Sequence, residues 1–155
     1  MNPENRNSQR ARSYPDRPLV GVGAVIIHDG RALIVRRASE PRRGEWTVPG
    51  GLLELGETLR VAVEREVLEE TNLVVRARDV LDVFDSIYPD AQGRIEYHYV
   101  LIDFLCEVVS GELRPSSDVS DARWITAAEL DTTPLIGFTA QVIRKGFAIH
   151  SVQER

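Results

Sequence analysis

The stretch 51-GLLELGETLRVAVEREVLEETNL-73 decides how this chain is read. Its second part predicts a helix over Thr58–Thr71. Thr58 can cap the first turn with its hydroxyl. Leu59, Ala62, Val63 and Val67 recur at helical spacing. Asn72 falls where a helix end needs a left-handed residue, which Asn tolerates best after Gly. At about 100° per residue, Glu66, Glu69 and Glu70 are spaced i, i+3, i+4 and share one face. Leu59, Ala62 and Val63 lie on nearly the same stripe earlier in the helix. A face that begins as core therefore ends as a cluster of carboxylates, where a purely structural helix would stay apolar.

Glu54, Glu57 and Glu64 add to the crowding, and Arg65 supplies one positive charge. Crowded carboxylates raise one another's pKa unless a cation compensates. Oxygen-only ligands suit Mg²⁺ or Mn²⁺, and no His-Cys cluster of the kind zinc prefers is present. Taken alone, a run such as EREVLEE also fits a solvated acidic face. Pro49-Gly50-Gly51 in front of the helix shifts the reading. It is expected as a flexible, exposed loop that can offer a carbonyl to a metal and amides, Gly51's among them, to a phosphate.

Working outward, Leu19–His28 and Ala32–Arg36 are expected strands joined by an Asp29-Gly30 hairpin turn. Arg37–Glu45 reads as a loop and Trp46-Thr47-Val48 as a short strand. Leu73–Ile87 and Arg94–Val109 are long β-rich runs separated by a turn at Pro89–Gly93. Ala122–Ile125 is a short strand and Ala127–Leu130 one helical turn. A last helix is expected from about Pro134 to His150. The fold class that follows is α/β (α+β): a mixed β-sheet sandwiched between α-helices.

The chain has 155 residues, enough for one domain with a full core. Residues 1–17, rich in Asn, Arg, Ser and Pro, read as a flexible arm, 18–150 as the domain and 151–155 as a tail. The arm's Arg6, Arg10, Arg12 and Arg17 are candidates to touch an anion. A single cysteine, Cys106, sits in an apolar run and reads as a small buried hydrophobe; a reducing, cytoplasmic setting is expected. No apolar stretch approaches the roughly 18 residues of a membrane span. A net charge of −5 argues against a nucleic-acid polymer as partner, though not against nucleotides.

The quoted stretch resembles the signature of the Nudix hydrolases, G-x5-E-x7-R-E-U-x-E-E-x-G-U, where U is bulky and aliphatic. Every fixed position agrees except the second glycine, here Asn72. The resemblance covers about residues 18–150 and implies the Nudix fold. It also implies that Glu66, Glu69 and Glu70, with the Gly50 carbonyl, hold Mg²⁺ (or Mn²⁺), and that Glu57 and Arg65 form a structural ion pair. By the same resemblance Asp118 is a metal ligand or the general base; a plain loop aspartate is equally open. The implied reaction is attack by water on a diphosphate, with Glu66 the first candidate for general base.

Arg36 and Arg37, ending a strand, are candidates to bind phosphate, with Arg36 preferred. Glu96 would read the substrate if its face of the strand lines the cleft. Phe84, Tyr88, Tyr97, Tyr99 and His28 are candidates to stack on a base. The approach GEWTVPGG, the strand IEYHYVLIDFLC and the late DARW look most like the ADP-ribose pyrophosphatase branch. That points to ADP-ribose, cut to AMP and ribose 5-phosphate. A (deoxy)nucleoside triphosphate pyrophosphohydrolase is the alternative, and a non-catalytic ADP-ribose-binding sensor the alternative of another class. Family analogy allows a homodimer.

Overall fold

Alternation along the first strand sets the layers. In the computed structural model, which describes residues 12–155, β1 (Leu19–His28) sends Val22, Ala24 and Ile26 to one face of the sheet and Val25 and Ile27 to the other. The first face packs against α1 (Leu59–Thr71) through Ala62, Val63 and Val67. The second packs against α2 (Thr139–Gln153) through Val142 and Ile143. A strand buried on both faces must be apolar at every position, which LVGVGAVIIH satisfies. The sheet is thus held between two helices, as expected.

β2 (Arg31–Arg37) returns antiparallel through Asp29-Gly30, both with positive φ (48° and 73°), the geometry a two-residue hairpin turn requires. β5 (Leu73–Pro89) and β6 (Ile95–Gly111) form a long antiparallel pair, and β6 runs parallel to β1. β3 (Trp46–Thr47) and β7 (Val119–Thr126) flank β2, with a 3₁₀ turn at Ala128–Asp131 after β7. Cys106 is buried in the core, and burial pushes its thiol up to about 12.

Four expectations need correction. Pro49-Gly50-Gly51 is not a flexible, exposed loop. Pro49 is buried, and β4 (Gly50–Leu52) pairs antiparallel with β1, Gly50 opposite Gly23. A side chain at Gly50 would run into the Val22 carbonyl, so glycine is what lets the two backbones close. The last helix starts at Thr139 rather than Pro134. Leu135 bridges to Trp46 and the Ile136 N–H donates to the Trp46 carbonyl at 3.0 Å, so that backbone is engaged elsewhere. The helix also runs to Gln153, three residues into the expected tail. β7 begins at Val119, before Ala122, because Val119 pairs with Arg37. Of the expected flexible arm, Arg6 and Arg10 lie outside the described residues, but Tyr14 is fastened to the β5–β6 turn.

Candidate active site

Helix α1 carries the site and is fixed at both ends. The Thr58 hydroxyl accepts from the Val61 N–H at 3.2 Å. Asn72, at φ 63° and ψ 10°, donates its N–H to the Leu68 carbonyl. The family's glycine position thus keeps its left-handed geometry with Asn. The last helical carbonyls, which have no partner within a helix, are met by the following loop. The Ser116 N–H donates to Glu70 O at 2.9 Å and the Arg114 N–H to Thr71 O at 2.8 Å. Burial of Val63 and Val67 contributes about 1.5–3 kcal/mol each and holds the helix on the sheet.

The carboxylates divide into two environments. Glu57 meets Arg65 in a two-pronged pair, Nε to Oε2 at 3.0 Å and a terminal nitrogen to Oε1 at 2.6 Å. Arg65 also donates to the Leu52 carbonyl at 3.2 Å, tying the approach loop to the helix. These bonds hold the Glu57 carboxyl below its usual range and push the Arg65 guanidinium above its own. The other terminal nitrogen of Arg65 reaches Glu66 at 2.9 Å and Glu69 at 3.3 Å. Glu64 is spent on structure: it accepts the Ala77 N–H at 2.9 Å.

Among the described residues Glu70 has no such partner. Its side chain is buried and accepts one long bond, from the Gly50 N–H at 3.4 Å. Burial pushes its carboxyl well above the usual range, and neighbouring Glu66 pushes it further. Burial likewise raises Glu66, partly offset by Arg65. Glu66 lies against Gly51, where any Cβ would collide with its carboxyl group. Asp118, in the loop before β7, lies close enough to raise Glu70 as well. Among the described residues no three acidic, His or Cys side chains converge at metal-ligand distance; Glu66 and Glu69 are bonded to Arg65. The donor set is nonetheless all oxygen and short of positive charge at Glu70, which fits a hard divalent cation.

A cleft of about 400 Å³ opens beside Gly50 and Gly51. Arg37, Phe84, Tyr88 and Tyr99 line it, as the sequence reading allowed. Four of the candidates lie off the cleft. Arg36 does not line the cleft; strand alternation turns it from Arg37, and its Nε donates to the Gly44 carbonyl at 2.9 Å. The expected preference for Arg36 over Arg37 is therefore reversed. Glu96 is also off the cleft: Tyr99 faces inward, so Glu96 and His98 fall on the other face of β6. Its carbonyl instead accepts the Tyr14 N–H. His28 sits at the far end of β1 against Trp124, and Tyr97 does not line the cleft but stacks on Tyr99.

The cleft holds residues that the sequence reading passed over. Phe138 lines it and meets Phe84 edge-to-face, ring centres 5.9 Å apart. Asp103 lies on its wall, only 5% exposed, and burial together with Asp82 pushes its carboxyl up to about 7. Gly23 leaves room for it, since a side chain there would strike the Asp103 carboxyl group. A lone acid inside the apolar run LIDFLC was the signal that could have found it.

A sheet between two helices, with a carboxylate-bearing helix end packed on a paired glycine strand, is the arrangement the sequence resemblance implies. The family's NUDIX domain model matches residues 17–145, and the chain belongs to the Nudix hydrolases. It is 32% identical over 144 residues to an ADP-ribose pyrophosphatase of Methanocaldococcus jannaschii, covering 93% of this chain and 80% of that one. It is 36% identical over 122 residues to a MutT-like protein of Streptomyces ambofaciens, covering 79% and 72%. Among solved structures, a MutT Nudix hydrolase from Burkholderia pseudomallei superposes with a TM-score of 0.69 at 32% identity, covering 84% of this chain and 98% of that one.

Proposed function

We propose that this chain is a divalent-metal-dependent hydrolase of ADP-ribose, releasing AMP and ribose 5-phosphate. The observation that carries the reading is the pairing of half-buried Glu66 and buried Glu70, both raised in pKa, against the Gly50–Gly51 strand that lines the cleft. Its substrate rests on the archaeal ADP-ribose pyrophosphatase matched over nearly the whole chain.

Mg²⁺ or Mn²⁺ held by Glu66, Glu69 and Glu70, with the Gly50 carbonyl, would neutralise the phosphate oxygens and make water a stronger nucleophile. Glu66 and Glu69 must leave Arg65 to do this, while the Glu57–Arg65 pair keeps the helix and approach loop in register. Glu66 is the proposed general base, since a half-buried carboxyl of raised pKa accepts a proton from water more readily than an exposed one. Asp118 is the alternative acceptor from the loop beside Glu70. Arg37 faces the negative charge of the diphosphate in the cleft.

A MutT-like reading, cleavage of (deoxy)nucleoside triphosphates, is favoured by the aromatic lining of Phe84, Phe138, Tyr88 and Tyr99, which suits a base, and by the MutT-like relatives. A panel of ADP-ribose, NADH, dinucleoside polyphosphates, sugar nucleotides, dNTPs and 8-oxo-dGTP, each with Mg²⁺ and Mn²⁺, separates the two. The proposal expects AMP from ADP-ribose at the highest kcat/KM. Faster pyrophosphate release from a nucleoside triphosphate would replace it with the second reading.

A further inference from the structure

The segment before β1 is strapped onto the turn between β5 and β6. The Tyr14 N–H donates to the Glu96 carbonyl at 2.7 Å, and its hydroxyl donates to Asp90 Oδ2 at 2.8 Å. The Arg94 guanidinium lies over the Tyr14 ring, 5.1 Å from its centre, and its Nε reaches the same Asp90 oxygen at 2.9 Å. Asp90 is itself fixed, its other oxygen accepting the Gln92 and Arg94 N–H groups at 2.9 Å. A backbone bond, a charge-assisted bond and a cation–π contact at one residue are more than an unoccupied tail needs.

The strap ends at the cleft. Two residues before Tyr14, Arg12 lines it together with Arg37 and Tyr99. The Tyr99 hydroxyl is buried and has no hydrogen-bond partner among the described residues. A buried hydroxyl left so is unfavourable, and a guest acceptor would relieve it. Burial raises the Tyr99 hydroxyl's pKa, and Arg12 and Arg37 both lie close enough to offset part of that rise. Each arginine also lies within electrostatic reach of the carboxylate cluster, Arg12 of Glu66 and Arg37 of Glu70. Two cations and one orphan donor thus converge beside the carboxylates, on residues from three separate parts of the chain.

We propose that Arg12, Arg37 and Tyr99 form an anion subsite that takes a substrate phosphate group directly, without the metal, and that Tyr14 is the positioning residue that holds Arg12 there. The assignment rests on the nucleoside-diphosphate reading for its natural ligand. The arginines supply planar N–H donors matched to phosphate oxygens, and Tyr99 supplies an O–H aimed into the same space. Truncating the segment before Leu19 would remove part of the binding site.

The test uses inorganic pyrophosphate, titrated in EDTA at low salt into the full chain by calorimetry. Arg12→Ala is expected to weaken binding about tenfold and Arg12→Lys to recover part of it. Tyr14→Phe, which loses the Asp90 bond, is expected to weaken it about threefold. Tyr99→Phe is expected to weaken it by a similar factor without lowering Tm, because the hydroxyl it removes has no partner in the protein. With a substrate from the panel, Arg12→Ala should raise KM by more than it lowers kcat. Pyrophosphate affinity equal in Arg12→Ala and the parent overturns the subsite, even if the substrate panel shows turnover. Arg12-dependent pyrophosphate binding without turnover of any panel member keeps the subsite and sinks the hydrolase reading instead.

Discussion

Glu57 and Glu70 belong to one short motif and meet opposite fates. Glu57 is 12% exposed at its side chain and fully answered by Arg65, so its carboxyl is held low. Glu70 is buried more deeply, has one long bond from the Gly50 N–H, and its carboxyl is pushed high. The helix's central arginine, Arg65, binds Glu57, Glu66 and Glu69, and among the described residues it leaves Glu70 without a charged hydrogen-bond partner. A region that satisfies its own charges holds the fold together; one that leaves charge unmet is built for something that arrives from outside.

The largest break in that comparison comes from removing charge from the carboxylates assigned to the metal. Glu66→Gln is expected to lower kcat by about 10²–10⁴-fold, as for loss of a general base. Glu70→Gln should lower kcat comparably through metal loss while raising Tm in EDTA, because a buried carboxylate no longer has to ionise. Steady-state kinetics and thermal melts on the same preparations check both.

Asp103 applies the same rule outside the motif. Its folded pKa of about 7 lies above the unfolded value near 3.8, so the folded state binds the proton more tightly. Stability from this group is therefore present below about pH 4 and lost as pH rises toward 7. Asp103→Asn should remove that loss, gaining on the order of 3 kcal/mol relative to the parent between pH 4 and pH 8. Urea melts across that range measure it; parallel pH dependences in the two proteins would contradict the assignment.

A smaller effect tests the spacing between the regions. Gly51→Ala places a methyl against the Glu66 carboxyl and should cut kcat about tenfold, with Tm falling less than a core truncation would cause. The smallest effect on catalysis belongs to the satisfied end. Glu57→Gln should lower Tm while kcat stays within about fivefold, since its partner acts on the loop and not on substrate.

What the sequence made legible was whatever one element carries alone. The glutamate face of α1, the Thr58 cap and the Asn72 end follow from helical spacing, and the sheet's two buried faces follow from the unbroken apolar run LVGVGAVII. The rest depends on contacts between distant segments. That β4 is a strand is decided by Gly21 and Gly23 across from it, about 30 residues earlier. Whether Arg36 or Arg37 faces the cleft depends on which side of β2 the helix lies. Glu96 was lost to the cleft by the inward phase of Tyr99, which no local pattern fixes. Arg12 lines the cleft two residues before Tyr14, whose hydroxyl bonds Asp90, 76 residues away.

The central claim is that the charge unmet at Glu70 is met by a divalent cation. Mn²⁺ titration followed by electron paramagnetic resonance, on the parent and on Glu70→Gln, addresses it without reference to substrate. Saturable Mn²⁺ binding in the parent, displaced by Mg²⁺ and lost in Glu70→Gln, is the predicted result. Equal Mn²⁺ binding by the two proteins, or none by the parent, would contradict it.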